Sequence, residues 1–215
     1  MSAERVIATA LAEQTYTEYP PDSNRTKYWD AYDPKMQGQP WCVAFLWWCF
    51  QQAGDRTAFM GGGKTASCTT LYRWYREQGL TVPIEQIQAG DIIFMNFSGS
   101  TELEHCGLVV HVIDGQYGWY RTIEGNTTPG LEGSQDNGGC VARKARHRQY
   151  IVAACHPMYT ADKPADYEGH WAEPEIRRVI ARGLMKGYED GSFRPDKPIT
   201  RAEVAVILDR LGSQS

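Results

Sequence analysis

An α+β fold with an antiparallel sheet is predicted by two features of the sequence, and a separate small helical module by a third. Apolar residues recur at helical spacing through the first third of the chain. After Pro83 the pattern changes to period two, rich in β-branched and aromatic residues, with turn residues between the runs. Helices first and sequential strands afterwards is the order of an α+β domain rather than of alternating βαβ units. A polar stretch then leads to two further helical segments. The 215 residues suffice for one ordinary domain and a small module, and 42% hydrophobic residues supply a packed core.

The elements follow in order. Val6, Ile7, Ala10 and Leu11 share one helical face and predict a helix over 3–14. Residues 15–40, rich in Pro, Asp, Asn and Tyr, read as a long ordered loop. Pro40 suits a first helical turn, and a helix is expected over 41–53, closed by Gly54 and apolar nearly all round, hence central. A third helix is expected over 68–78, between a Ser67 cap and Gly79. Strands are expected at 91–97, 105–113, 117–124, 140–145 and 149–155, with Asp114-Gly115 as a tight hairpin. Residues 157–168 read as a linker, and 173–182 and 200–211 as the last two helices. The domains are therefore expected at 1–156 and 169–215.

The net charge of −4 argues against a dedicated nucleic-acid binder. No stretch approaches the ~20 apolar residues of a membrane span. Residues 1–14 lack the basic and apolar regions of a secretory signal, so synthesis in the cytoplasm is expected. Six cysteines stand at 42, 49, 68, 106, 140 and 155. None form a C-x-x-C pair and the chain is too long to need staples, so reduced thiols are expected. Without ligand spacing between any Cys and His, no metal or other cofactor is expected.

The chemistry concentrates at Cys42. A thiol at a helix N-terminus meets the aligned peptide dipoles and free N–H groups, which favour the reactive thiolate. Cys49, two turns on, lacks that placement and reads as core. His105 opens a strand on which 105, 107, 109 and 111 share one face and Cys106 the other. Glu124 and Asn126, two apart, point the same way if the chain stays extended. Either can accept the second N–H of the His105 ring and fix its tautomer. The basic run Arg143, Lys144, Arg146, His147 and Arg148 reads as a solvated face. Gly61-Gly62-Gly63-Lys64-Thr65 lacks the first glycine and the preceding strand of a phosphate loop.

Four motifs in this order, Trp41-Cys42-Val43-Ala44-Phe45, Ala89-Gly90-Asp91-Ile92-Ile93-Phe94, His105-Cys106-Gly107-Leu108-Val109 and Ile123-Glu124-Gly125-Asn126-Thr127, resemble CHAP domains. That family comprises cysteine- and histidine-dependent amidohydrolases/peptidases that cut peptidoglycan on a papain-like fold. The resemblance covers about 1–156. It implies Cys42 as nucleophile, His105 as base, Glu124 as its orienting residue and Asn126 as a further polar member. Trp41, beside the nucleophile, is expected to meet substrate. Asn24-Arg25-Thr26-Lys27-Tyr28 looks like phage lysins of this group, which suggests an endolysin that reaches the wall after release. Some members bind calcium ahead of the nucleophile. Here 33–39 offers one carboxylate, too few for that ion.

The stretch His170-Trp171-Ala172, Gly187-Tyr188-Glu189-Asp190-Gly191-Ser192-Phe193-Arg194-Pro195-Asp196 and Ile199-Thr200-Arg201-Ala202-Glu203 resembles one S-layer homology (SLH) motif. Such motifs hold proteins on anionic secondary cell-wall polysaccharide, and usually come in threes. The resemblance implies wall-polymer contacts from Trp171, Gly187 and Arg201. One repeat buries little core, so either docking on the catalytic domain or an oligomer through this module is a further expectation. The expected function is thus a wall-targeted peptidoglycan amidase or endopeptidase. Its rivals are a non-catalytic wall-adhesion protein with a decayed enzyme domain and a thiol acyltransferase on the same fold.

Overall fold

The computed structural model describes residues 2–100, 102–114, 117–130, 138–160, 165–188 and 192–212. It divides into two compact units, one ending at Tyr159 and one beginning at Thr160. Gly115 of the expected hairpin, Asp162, Lys163 and Pro164 of the expected linker, and Glu189, Asp190 and Gly191 of the SLH-like stretch lie outside the described residues.

The first unit is mixed α+β. Helices α1 (Ser2–Ala12), α2 (Lys27–Tyr32), α3 (Cys42–Gln52) and α4 (Cys68–Glu77) precede strands β1 (Ile92–Met95), β2 (His105–Asp114), β3 (Trp119–Thr127), β4 (Cys140–His147) and β5 (Ile151–Cys155). The strands form one antiparallel sheet in the order β4-β3-β2-β1-β5. Single-residue bridges add to both outer strands, Thr17 to Cys140 on β4 and Thr81 to Cys155 on β5.

α2 departs from the expected loop. Thr26 adopts an extended backbone, and its hydroxyl accepts from the Trp29 N–H at 3.2 Å, so six residues of loop-like composition close into a helix. Its product is an aromatic wedge: Tyr28 and Trp29 are buried, and Tyr28 stacks on Trp41 with centroids 5.3 Å apart.

α3 is the central helix, buried on most sides as its apolar content predicts. It packs against β2 and β3, and Val43, Phe45, Leu46, Cys49 and Phe50 join Cys106, Leu108, Ile123 and Val141 in the main core. The opposite face of the sheet carries a smaller cluster, including Ile93, Met95, Val109 and Tyr120. Gly125 lets α3 approach closely, since a Cβ there would lie 2.6 Å from Phe45 Cβ and 2.8 Å from the Trp41 ring.

Two register shifts in β2 break its alternation, one between Val109 and His111. His111 therefore leaves the face of His105 and ends exposed, while His105 is 2% exposed. The second unit contains α5 (Glu173–Ala181) and α6 (Arg201–Gly212). Thr200 and Glu203 close a capping box, with the Thr200 N–H donating to Glu203 at 2.7 Å and the Glu203 N–H to the Thr200 hydroxyl at 3.2 Å. Among the described residues, no helix is long and apolar enough to cross a membrane.

Because the Gly125 site has no room for a methyl group, Gly125→Ala should destabilise the fold by about 1–3 kcal/mol. The midpoint of urea denaturation measures this, and an unchanged midpoint would contradict the close approach of α3.

Candidate active site

Cys42 is the first residue of α3, and Trp41 caps the helix without a side-chain hydrogen bond. The N–H groups of this first turn have no partner within the helix, so they favour a negative sulfur. His105 opens β2 beside Met95 of β1. The preceding loop is held by the Glu104 carboxylate, which accepts from the Phe97 N–H at 2.7 Å and the Ser98 N–H at 3.3 Å. Glu124 lies on β3. Gly107 leaves it space, because a Cβ on Gly107 would come within 2.7 Å of Glu124 Cγ.

Glu124 is fully buried and is the best-connected carboxylate of the site. It meets His105 Nε2 at 3.0 Å. Arg146 on β4 donates to it twice, from Nε at 2.8 Å and from Nη2 at 2.6 Å. The Thr122 hydroxyl donates at 2.5 Å and that of Thr127 at 3.5 Å. With Nε2 engaged by Glu124, the other ring nitrogen is the one left for the thiol.

The basic run on β4 is accordingly not a solvated face. Arg143 is exposed, but Lys144 is fully buried and Arg146 is 3% exposed. Strand alternation divides the run, sending Lys144 and Arg146 inward. Lys144 Nζ donates to the Thr128 carbonyl at 3.1 Å. The period-two pattern was the signal that could have singled out Arg146.

The electrostatics follow from these partners. Burial acts to raise the Glu124 pKa, but hydrogen bonds from Arg146 and His105 outweigh it and bring the carboxyl from 4.5 down to about 2. Burial acts to lower the His105 pKa, but hydrogen bonds with Cys42 and Glu124 raise it from 6.5 to about 9. Hydrogen bonds from the Cys106 and Cys68 thiols, together with His105, hold the Cys42 pKa well below its ordinary value despite burial. All three shifts act in one direction, toward a negative Cys42 sulfur, a protonated His105 ring and an ionised Glu124.

Cys68 and Cys106 complete a group that the sequence did not suggest. The Cys42 and Cys68 sulfurs are 3.9 Å apart, and the three sulfurs lie within 4.8 Å of one another. Cys68 is the first residue of α4, capped by the Ser67 hydroxyl. All six cysteines are free thiols.

Asn126 is not joined to His105. The register shifts between Glu124 and Thr127, and Asn126 takes a φ of +56°, so the chain is not extended there. Its Oδ1 is buried without a hydrogen-bond partner, as is Oε1 of Glu18. Trp41 is wholly buried, stacked on Tyr28 with its indole N–H 3.3 Å from Glu18 Oε2. That placement leaves the ring no face for a substrate; it supports the start of α3 instead.

In the second unit, Trp171 and Gly187 line a cavity of about 640 Å³ together with Tyr188, Arg194, Glu203 and Arg210. Trp171 is 86% exposed. Arg201 is exposed at the start of α6 and is not part of this lining. The arginines at the cavity are Arg194, 4.2 Å above the Tyr188 ring, and Arg210, which donates to the Leu184 carbonyl.

Comparison with known proteins accords with both resemblances. Residues 34–126 match the CHAP domain and residues 165–205 the S-layer homology domain, so the chain contains a CHAP domain and a single SLH domain. The SLH relatives are surface-layer and related proteins. The outer membrane protein SlpA of Deinococcus radiodurans is 47% identical over 63 residues, which is 29% of this chain and 5% of that protein. A cellulosome-anchoring protein of Acetivibrio thermocellus is 47% identical over 45 residues, 21% of this chain and 10% of that one. The S-layer protein sap of Bacillus anthracis is 38% identical over 50 residues, 23% and 6% of the respective chains. The chain thus spans a tenth or less of the length of these relatives. Among solved structures, the crystal structure of Ly7917 matches 73% of this chain and 62% of its own with 17% identity and a TM-score of 0.44.

The depressed pKa of Glu124 makes it a source of stability that is present above its unfolded value of 4.5 and lost as pH falls toward about 2. Arg146→Met removes the two-pronged partner of a buried charge, which should cost about 3–5 kcal/mol at neutral pH. It should also flatten the acid limb, since less of the Glu124 shift then remains. Denaturation midpoints of both proteins between pH 7 and pH 2 test this; superimposable curves would count against Arg146 as the group that holds Glu124.

Proposed function

We propose that the chain is a peptidoglycan hydrolase that cleaves an amide bond of the wall peptide through Cys42 and is held on the wall by its SLH domain. The observation that carries the reading is the Cys42 thiol at the start of α3, partnered by a His105 ring that the buried Glu124–Arg146 pair anchors. The CHAP domain supports an amidase or peptidase class, and the SLH relatives are cell-surface proteins.

In this reading the Cys42 thiolate attacks the amide carbonyl carbon. The backbone N–H groups at the start of α3 receive the negative charge that develops on the carbonyl oxygen. As the C–N bond breaks, His105 passes its proton to the departing amine, leaving the acyl group on sulfur as a thioester. Water adds to the thioester, His105 takes a proton from it, and the free acid leaves as the thiolate is restored. Glu124 holds the ring and favours its protonated form, and Arg146 holds Glu124. Asn126 serves as a further polar member at the end of β3.

The catalytic domain is assigned to residues 1–156, a linker to 157–168 and the wall-binding module to 169–215. Secondary cell-wall polysaccharide is the ligand proposed for that module. The exposed Trp171 supplies a stacking face and Gly187 an open wall of the cavity, while Arg201, exposed at the start of α6 outside that lining, offers a guanidinium fork for a sugar acid. Release to the wall in the manner of an endolysin is part of the same proposal.

Cys42→Ser should abolish release of wall fragments while leaving the far-ultraviolet circular dichroism unchanged, because a serine hydroxyl is a poor nucleophile without a strong base. In the parent protein activity should fall as pH rises through about 9, where His105 gives up its proton. Full lysis by the serine variant would end the mechanism.

Removal of residues 161–215 should leave a hydrolase that cuts soluble wall fragments at the parent rate but is captured less by intact walls, since a tethered second contact raises effective concentration. Arg201→Ala should reproduce much of that loss. Equal wall pull-down by all three proteins would refute anchoring, and loss of soluble-fragment activity on truncation would make the module a structural part of the enzyme.

A further inference from the structure

Three cysteines from three elements meet at one point: Cys42 at the start of α3, Cys68 at the start of α4, and Cys106 at the start of β2. A hydrolase mechanism of the kind proposed above uses one thiol and leaves two unexplained. Their spacing is informative. In a tetrahedral site with Zn–S bonds of about 2.3 Å, neighbouring sulfurs stand about 3.8 Å apart. The Cys42–Cys68 separation is 3.9 Å, and Cys106 Sγ lies within 4.8 Å of both. Bringing separations of at most 4.8 Å to that spacing would take a movement of about 1 Å.

Access suits such an ion. Cys42 and Cys68 retain 5% and 7% exposure, whereas Cys106 is fully buried, so the group has an outer edge and a closed floor. Cys42 and Cys68 both sit at helix starts, α3 and α4, and the Cys68 thiol is pushed up well above its ordinary value, so an ion there would have to displace its proton. Sequence spacing gives no sign of the group, since the three residues are far apart along the chain.

We propose that Cys42, Cys68 and Cys106 form a binding site for a thiophilic divalent cation of the zinc class, and that occupancy takes Cys42 out of reaction. The three sulfurs bind as thiolates, and the protons still held by Cys68 and Cys106 leave to solvent. The fourth coordination position is left to water. Cation binding stands on the three thiols alone; its effect on hydrolysis rests on the reading of Cys42 as the nucleophile.

The test uses cadmium, whose thiolate complexes absorb in the ultraviolet, with the full chain kept reduced by a phosphine. One cadmium ion per chain and a sulfur-to-metal charge-transfer band are expected. Cys68→Ala should weaken the affinity at least as much as loss of an outer-shell partner does in metalloproteins, about 10–100-fold, while Cys49→Ala should bind like the parent. In the parent protein, cadmium should slow alkylation of Cys42 and a chelator should restore it, a readout that needs no variant to fold. Absence of the band in the parent, equal binding by Cys68→Ala, or unprotected Cys42 would each overturn the site. Wall-fragment release should stop when the ion binds and return with chelation. Binding with the expected band but undiminished hydrolysis would uphold the cation site and refute Cys42 as nucleophile.

Discussion

A carboxylate buried at the centre of a sheet is costly unless its charge is fully answered. Glu124 is answered on every side: Arg146 with two donors, His105 through Nε2, and the hydroxyls of Thr122 and Thr127. These partners come from β2, β3 and β4, so one charge ties three adjacent strands together at the level where α3 begins. Gly107 is part of the same constraint, since any side chain there would displace the carboxylate. The ring of His105 is thereby held at one nitrogen and free to serve at the other.

The start of α3 is fixed just as firmly, but by packing. Trp41 is sealed between Tyr28 of α2 and the bare backbone of Gly125. Phe45, one turn on, closes against the same glycine. A polar network thus sets the imidazole and an aromatic one sets the thiol, and they meet at β3, where Glu124 and Gly125 are neighbours in sequence but face opposite sides of the sheet.

Much of this is legible in the sequence. The helices and strands of the first unit fall near their expected positions because their periodicities are strong and Gly, Pro and Ser punctuate them. Cys42, His105 and Glu124 are legible because each sits in a short motif, the first two at the start of an element and Glu124 within β3. What escaped depended on the third dimension. α2 was hidden by loop-like composition, and only the Thr26 cap and the burial of Tyr28 and Trp29 account for it. Arg146 was hidden in a run of charges that strand alternation divides into exposed and buried members. Asn126 was expected to share the direction of Glu124, but the chain turns through a positive φ between them. The meeting of Cys42, Cys68 and Cys106 has no sequence signature, because it is made by two helix starts and a strand converging.

The bridges at the two margins of the sheet bear on how the molecule behaves in a crowd. An outer strand offers unpaired peptide groups that a second chain can adopt as its own next strand. Here Thr17 occupies part of that place beside β4 and Thr81 beside β5, and the exposed Arg143 places a charge along the β4 side. A newcomer would have to displace a resident segment and accept a buried or repelled guanidinium to continue the ladder. Each margin is thus capped at one end of its outer strand, which shortens the length of edge open to strand addition.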